Sequence, residues 1–302
     1  MRIVSLLPSA TEICCALGLD EQLVGVTHEC DYPPEIRGKP QLTRSMLPVA
    51  LDAAAVDRHV RAQLHAGSSL YALDAELLER LQPDLIITQE LCPVCAVSYE
   101  IVAAAAKRLR GDPRIVSLEP SSLEDVFGTI AAVAELAGVP ERAGPLLDLL
   151  RARVAALARR TRGLARPRTL VLEWTDPPMS GGGWTAELVE LAGGAPMLAD
   201  PGASSRVLAW DAIARADPDV VLVAPCGYDL AAARRAIAAI ASEPEWAGLR
   251  AVRERRAWAV DGNAYLNRPG PRLVETAEIF AHAIHGDAVP PVIPDDRALA
   301  QA

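Results

Sequence analysis

Apolar positions in this chain keep two rhythms. Short, mainly apolar runs, closed by polar or turn-forming residues, fall at 3–7, 23–26, 85–88, 114–118, 169–174, 220–223 and 257–260, and each reads as a buried strand. Between them, apolar residues recur at helical spacing over about 9–17, 51–65, 74–81, 96–110, 121–136, 184–191, 210–215, 232–240 and 271–285. Ser9 and Glu12 have the spacing of a capping box at the first helix. The longest stripe is Leu146, Leu150, Val154 and Leu157, with Arg151, Arg153, Arg159, Arg160 and Arg162 on other faces and Gly163 as a stop. Pro145 requires that this helix start there or kink there. Over 145–162 it would run roughly 27 Å, long enough to cross between two lobes.

Strand and helix alternate on both sides of that helix, which predicts an α/β fold of mostly parallel sheets with helices on both faces. The halves also share a phrase. LDAELLERLQPDLIIT (73–88) and LAWDAIARADPDVVLVA (208–224) both read as an acidic helix start, a helix, Pro-Asp and a buried strand. The expected organisation is an N-terminal α/β lobe over 1–139, a linking helix over 140–163, a C-terminal α/β lobe over 164–288 and a frayed, Pro-rich tail over 289–302. Open α/β sheets bind ligands beyond the carboxyl ends of their strands. That directs attention to 27–32, 88–98, 119–120, 174–184, 224–229 and 261–268, which would line a cleft.

Composition narrows the class. A chain of 302 residues, 51% hydrophobic, suits two lobes, and its net charge of −9 argues against nucleic acid as a partner. No apolar run is long enough to span a membrane, and a monomer is expected. Residues 3–7 are too short for the apolar core of a signal peptide, so the chain as written reads as cytoplasmic; a start further upstream would make it periplasmic or otherwise extracytoplasmic.

Six cysteines are too few for a disulfide scaffold. Cys14 and Cys15 read as small hydrophobes on the first helix. His28 and Cys30 follow the second strand, Cys92 and Cys95 form CPVC after the third, and Cys226 follows a strand of the second half. His28, Cys30, Cys92 and Cys95 would make a Cys₃His set for a metal ion if their loops are neighbours. The same CxxC is compatible with a redox pair, a disulfide in an exported protein or ordinary buried thiols. Glu29, Asp31 and Glu90 are carboxylates on predicted cleft loops, suited to accept hydrogen bonds from ligand amides or to act as a general base. Gly181-Gly182-Gly183 lacks the Lys-Ser/Thr of a phosphate loop, and neither GxSxG nor HExxH occurs, so no enzyme is expected.

RIVSLLPSATE, VGVTHECDYPP, the LxPDLIIT phrase and the closing NRPGPR together resemble the vitamin B12-binding proteins of ABC importers, within the class III substrate-binding proteins that also take iron–siderophores and haem. The likeness covers about residues 2–285. It implies two Rossmann-like lobes joined by a long helix, the helical-backbone metal-receptor arrangement, closing only slightly on a ligand. It implies cobalamin or a related corrinoid or metal tetrapyrrole as ligand, with no cofactor required, and an ABC permease as partner. Glu76 and Asp211, at equivalent places in the two repeated phrases, match the acidic residues that dock such proteins on the permease. Gln89, Leu70 and Ser205 stand where B12 receptors carry aromatic residues, leaving Trp174, Tyr228 and Tyr265 as aromatic walls and Arg268 as a polar contact. A second reading keeps the fold without the transporter: a cytosolic metal-handling or redox protein using the clustered thiols.

Overall fold

The computed structural model describes residues 1–48, 51–65, 69–89, 99–109, 111–291 and 298–302. The chain divides into two compact units, one of Met1–Leu51, Ala55–Pro120 and Asp125–Asp148, the other of Asp52–Ala54, Ser121–Glu124 and Leu149–Ala302.

In chain order the first half holds β1 (Ile3–Ser5), α1 (Pro8–Ala16), β2 (Leu23–Gly25), β3 (Thr43–Ser45), α2 (Ala53–His65), β4 (Tyr71–Leu73), α3 (Ala75–Leu81), β5 (Leu85–Thr88), α4 (Tyr99–Ala106), β6 (Arg114–Ser117) and α5 (Leu123–Leu136). β2-β1-β5-β6 form a fully parallel sheet. Every residue of β1 and β5 is buried, as a strand covered on both faces requires. Val4, Leu6, Ile86, Leu78 and Val102 are the heart of this core. Two expectations are corrected. Ser9 and Glu12 form no capping box: Pro8 occupies the first helical turn behind an extended Leu7, so both lie inside α1 and are buried. The polar excursion after β2 also holds the antiparallel ribbon β3–β4, whose three-residue strands are too short to show alternation.

A tight turn, Pro140–Arg142, leads into α6 (Ala143–Thr161). Pro145 is therefore the third residue of the helix, where the backbone N–H would have no intrahelical partner, and no kink is needed. Leu150 and Leu157 are buried along the predicted stripe. Arg142 donates to the carbonyls of Leu17 (3.0 Å) and Gly18 (2.9 Å) in the first unit. Arg153 reaches Glu278 at 2.6 Å and Glu275 at 3.5 Å in the second.

The second half holds β7 (Arg168–Thr175), β8 (Pro178–Ser180), α7 (Thr185–Leu191), β9 (Ala195–Met197), α8 (Trp210–Ala216), β10 (Val220–Val223), α9 (Leu230–Ile240), α10 (Pro244–Gly248), α11 (Arg250–Arg253), β11 (Ala257–Val260), α12 (Leu273–His285) and β12 (Leu299–Gln301). Its parallel strands run β9-β7-β10-β11, repeating the order of the first sheet. β7 is long enough to serve two partners, β9 along its amino half and antiparallel β8 along its carboxyl half. Within the tail expected to fray, Leu299–Gln301 is ordered as β12: Leu299 pairs with Val260 and Gln301 with Trp258, at the edge of the sheet.

Candidate ligand site at the carboxyl ends of the sheets

In each sheet the strand order reverses beside the first strand, at β1/β5 and at β7/β10. Loops leaving the carboxyl ends there form the crevice that α/β proteins use for ligands.

In the first unit the loop after β2 is built on hydroxyl groups. The Thr43 Oγ1 accepts from the His28 backbone N–H at 3.1 Å and lies 2.7 Å from His28 Nδ1. Thr27 Oγ1 accepts from the Glu29 N–H at 3.2 Å. Tyr71 donates its hydroxyl to Glu29 Oε1 at 3.2 Å, and its ring lies 5.6 Å from the imidazole. Burial lowers the pKa of His28, against a smaller opposing pull from Glu29, so the neutral imidazole is favoured. Cys30 is placed differently from its neighbour. It is buried, with its sulfur 3.0 Å from Thr11 Oγ1, and Thr11 donates in turn to Ser5 Oγ at 2.8 Å. Gln89 is half-buried directly after β5. Glu90, Cys92 and Cys95 lie outside the described residues, and among the described residues no three His, Cys, Asp or Glu side chains converge as a metal-binding group. Cys14 is fully buried, which pushes its thiol far up; burial raises Cys15 to about 11.

The second unit offers rings and guanidinium groups instead. Trp174, near the end of β7, meets Tyr228 edge to face at 5.0 Å, and its indole N–H donates to the Asp176 carbonyl at 3.1 Å. Burial raises the pKa of the Tyr228 phenol. Cys226 is exposed, while its backbone N–H donates to the Glu173 carbonyl at 3.1 Å. Beyond β11, Asp261 caps a turn over Gly262–Leu266 by accepting from the Ala264 N–H at 2.7 Å. This turn carries Tyr265, buried, with the Arg272 guanidinium 5.4 Å above its ring. Arg268 and Arg272 are both buried. Burial raises the Asp261 pKa despite the Ala264 bond; nearby Asp229 adds to the rise and the two arginines oppose it. Gly262 is required by space: a Cβ there would lie 2.4 Å from the Pro225 carbonyl oxygen.

Sequence reasoning missed several of these groups. Thr43 and Tyr71 come from the unpredicted β3–β4 ribbon. Glu173 left a signal, a lone carboxylate inside the apolar run TLVLEW, and it accepts from Ser205 Oγ and the Gly182 N–H. Away from the loops, Glu76 and Asp211 are both exposed at the second residue of the seven-residue helices α3 and α8. Asp211 pairs with Arg215 at 2.6 Å, and that hydrogen bond and charge lower its pKa.

Residues 3–264 match the family described as periplasmic binding protein, and the chain belongs to that family. It is 25% identical over 297 residues to the ABC transporter substrate-binding lipoprotein YvrC of Bacillus subtilis, covering 95% of this chain and 80% of that protein. It is 25% identical over 291 residues to the vitamin B12-binding protein of Vibrio cholerae, covering 92% of this chain and 86% of the relative. Among solved structures, the periplasmic heme-binding protein RhuT from Roseiflexus sp. RS-1 superposes with a TM-score of 0.71 at 28% identity, covering 96% of this chain and 99% of that one. The periplasmic vitamin B12-binding protein BtuF of Vibrio cholerae, at 23% identity and a TM-score of 0.68 over 94% of this chain and 96% of its own, shares the fold.

This membership corrects the expected cytoplasmic location, because the family is periplasmic and the B. subtilis relative is a lipoprotein. The export address is read apart from the folded module, so the first residues of a fold do not decide where it works. No helix among the described residues is long and apolar enough to cross a membrane.

Proposed function

We propose that this protein is the substrate-binding component of an ABC importer and that its ligand is cobalamin or a closely related metal tetrapyrrole. The Trp174–Tyr228 pair carries the reading: at the reversal of strand order the half-buried Tyr228 ring is backed at 5.0 Å by the buried Trp174 indole, and it offers a flat ligand an apolar wall. Tyr265 and Arg268, both buried, stand behind that wall, in and just after the turn whose Asn263 N–H donates to the Tyr228 carbonyl at 3.0 Å. His28 supplies the chemistry for the metal. In the tautomer that carries its proton on Nδ1, donating to Thr43, a neutral imidazole offers the Nε2 lone pair. Glu29 and Gln89 supply acceptors and donors for peripheral amides. The relatives that bind vitamin B12 or heme support this choice of ligand class.

Glu76 and Asp211 are the docking residues for the permease. Their support is symmetry: each is exposed, and each holds the same place on equivalent short helices of a repeated phrase. Charge reversal at either should lower uptake in a reconstituted importer and leave ligand affinity unchanged.

The test of the ligand is a titration of the purified, reduced protein with cyanocobalamin, aquocobalamin and haem, followed by heat and by absorbance. Binding of a cobalamin at micromolar affinity or tighter is expected, weakened at least tenfold by Trp174→Ala. A preference for the aquo form, lost in His28→Ala, would place the imidazole at the metal. No binding of any of the three overturns the reading.

A further inference from the structure

Glu173 is the least explained group near the candidate site. It stands between Leu172 and Trp174 on β7, and burial raises its pKa against the bonds from Ser205 and Gly182. Glu173 is half-buried, and a carboxyl drawn partly out of water is costly where a leucine of similar volume would serve. Its bonds show what it does instead. The Ser205 hydroxyl and the Gly182 N–H both donate to its carboxyl, while its own carbonyl accepts from Cys226 in the loop that carries Tyr228.

Those two donors belong to facing pieces of chain. Gly183 N–H donates to the Ala203 carbonyl at 2.7 Å, Gly202 N–H to the Gly183 carbonyl at 3.0 Å, and Ser180 N–H to the Arg206 carbonyl at 2.9 Å. The approach is so close that a Cβ on Gly182 would lie 2.4 Å from the Ser205 backbone nitrogen. Residues 201–204 are exposed, and Ser205 is the first half-buried residue of the segment. Backbone bonds pair the two pieces, and the Glu173 carboxyl is a side chain that grips both.

We propose that Glu173 is a positioning residue for ligand binding: by tying Gly182 to Ser205 it fixes the exposed 201–205 segment as a wall of the site beside Trp174 and Tyr228. This rests on the ligand-binding reading above, and the test separates the two.

Glu173→Leu cuts the tie and keeps the volume. Glu173→Gln keeps it, since the amide oxygen accepts and the Ser205 hydroxyl can turn to accept from the amide nitrogen. Hydrogen exchange of the Gly183 and Gly202 amides in the ligand-free protein reads the segment directly, and cyanocobalamin titration reads the site. In Glu173→Leu we expect both amides to exchange at least tenfold faster and affinity to fall at least tenfold, with Tm unchanged or higher. Glu173→Gln should match the wild type in both. Ser205→Ala, at a half-buried surface position, should move both readouts in the same direction if the leucine variant does not fold. Wild-type exchange and affinity in Glu173→Leu and Ser205→Ala, or equal losses in the glutamine variant, overturn the proposal. Failure of the wild-type protein to bind any tetrapyrrole defeats the functional reading instead, and exchange then still decides whether the tie exists.

Discussion

At the amino end of each sheet an arginine stands at the start of the first strand and an aspartate precedes the third. Arg2 N–H donates to Asp84 at 2.7 Å, and Arg168 N–H donates to Asp219 at 2.7 Å. The reverse bonds, Asp84 N–H to the Arg2 carbonyl and Asp219 N–H to that of Arg168, are both 2.8 Å. The residues ending the preceding helices, Gln82 and Asp217, share left-handed backbones with φ of 41° and 39°. At the carboxyl ends the likeness stops. The first unit presents hydroxyls around an imidazole, the second rings and guanidinium groups. The amino-end clasp sets where strands start, and both units need it. The carboxyl-end loops carry no such duty, so their side chains were at liberty to specialise.

The largest expected contrast is steric. Gly262→Ala would drive a Cβ into backbone oxygens of Ala224 and Pro225, whereas Gly25→Ala would meet methyl groups of Leu42 and Leu81. Denaturant unfolding should show a loss of about 3 kcal/mol for the first and about 1 kcal/mol for the second. The opposite ranking would mean that the loop after β11 is looser than its contacts indicate.

Next comes the clasp. Asp219 also receives Arg250, and Asp217 accepts from the Arg250 N–H at 3.0 Å, so the second clasp is larger than the first. Asp219→Ala should cost about 2 kcal/mol and Asp84→Ala about 1 kcal/mol. Burial pushes the Asp219 pKa up, but the Arg168 N–H and the charges of Arg250 and Arg168 outweigh it and hold the pKa below the ordinary value. Its stabilisation is therefore present above the unfolded pKa and lost as pH falls through the folded one. Acid titration of stability should lose that component in the alanine variant. Equal costs for the two aspartates would erase the distinction between the clasps.

Two titrating groups then set the carboxyl ends apart. Glu173 has its folded pKa raised by burial, so its contribution is fullest below the unfolded value and declines as pH rises through the folded one. His28 has its pKa lowered by burial, so its contribution is present above the unfolded value and declines as pH falls toward the folded one. Glu173→Gln should flatten the loss on the alkaline side, and His28→Asn the loss on the acid side, in stability curves between pH 4 and 8. The smallest expected effect is Tyr71→Phe, which removes one half-buried hydroxyl from Glu29 and should cost about 0.5 kcal/mol.

Much of this architecture is written in the sequence, and the reason is physical. Strands such as Val220–Val223 and Ala257–Val260 are buried on both faces, so an unbroken apolar run marks them closely. The repeated Pro-Asp phrase records the clasp. That the positions of Trp174, near the end of β7, and Tyr228, in the loop after β10, deserve inspection was legible; that their rings meet was not. The β3–β4 ribbon was not, because three residues carry no period, and with it Thr43 and Tyr71 were lost as partners of His28. Cys30 and His28 are two residues apart, yet one sulfur turns into the core and the imidazole to Thr43. Sequence proximity cannot express that difference. β12 was unreadable for another reason: a strand that completes an edge needs only backbone groups, and Leu-Ala-Gln supplies them without a hydrophobic pattern.

That last strand has a practical side. An open sheet margin invites pairing with other chains, and a short capping strand hides the margin of β11 from such partners. Trimming Leu299–Gln301 would uncover those backbone groups, and the trimmed protein should self-associate more readily than one that keeps β12.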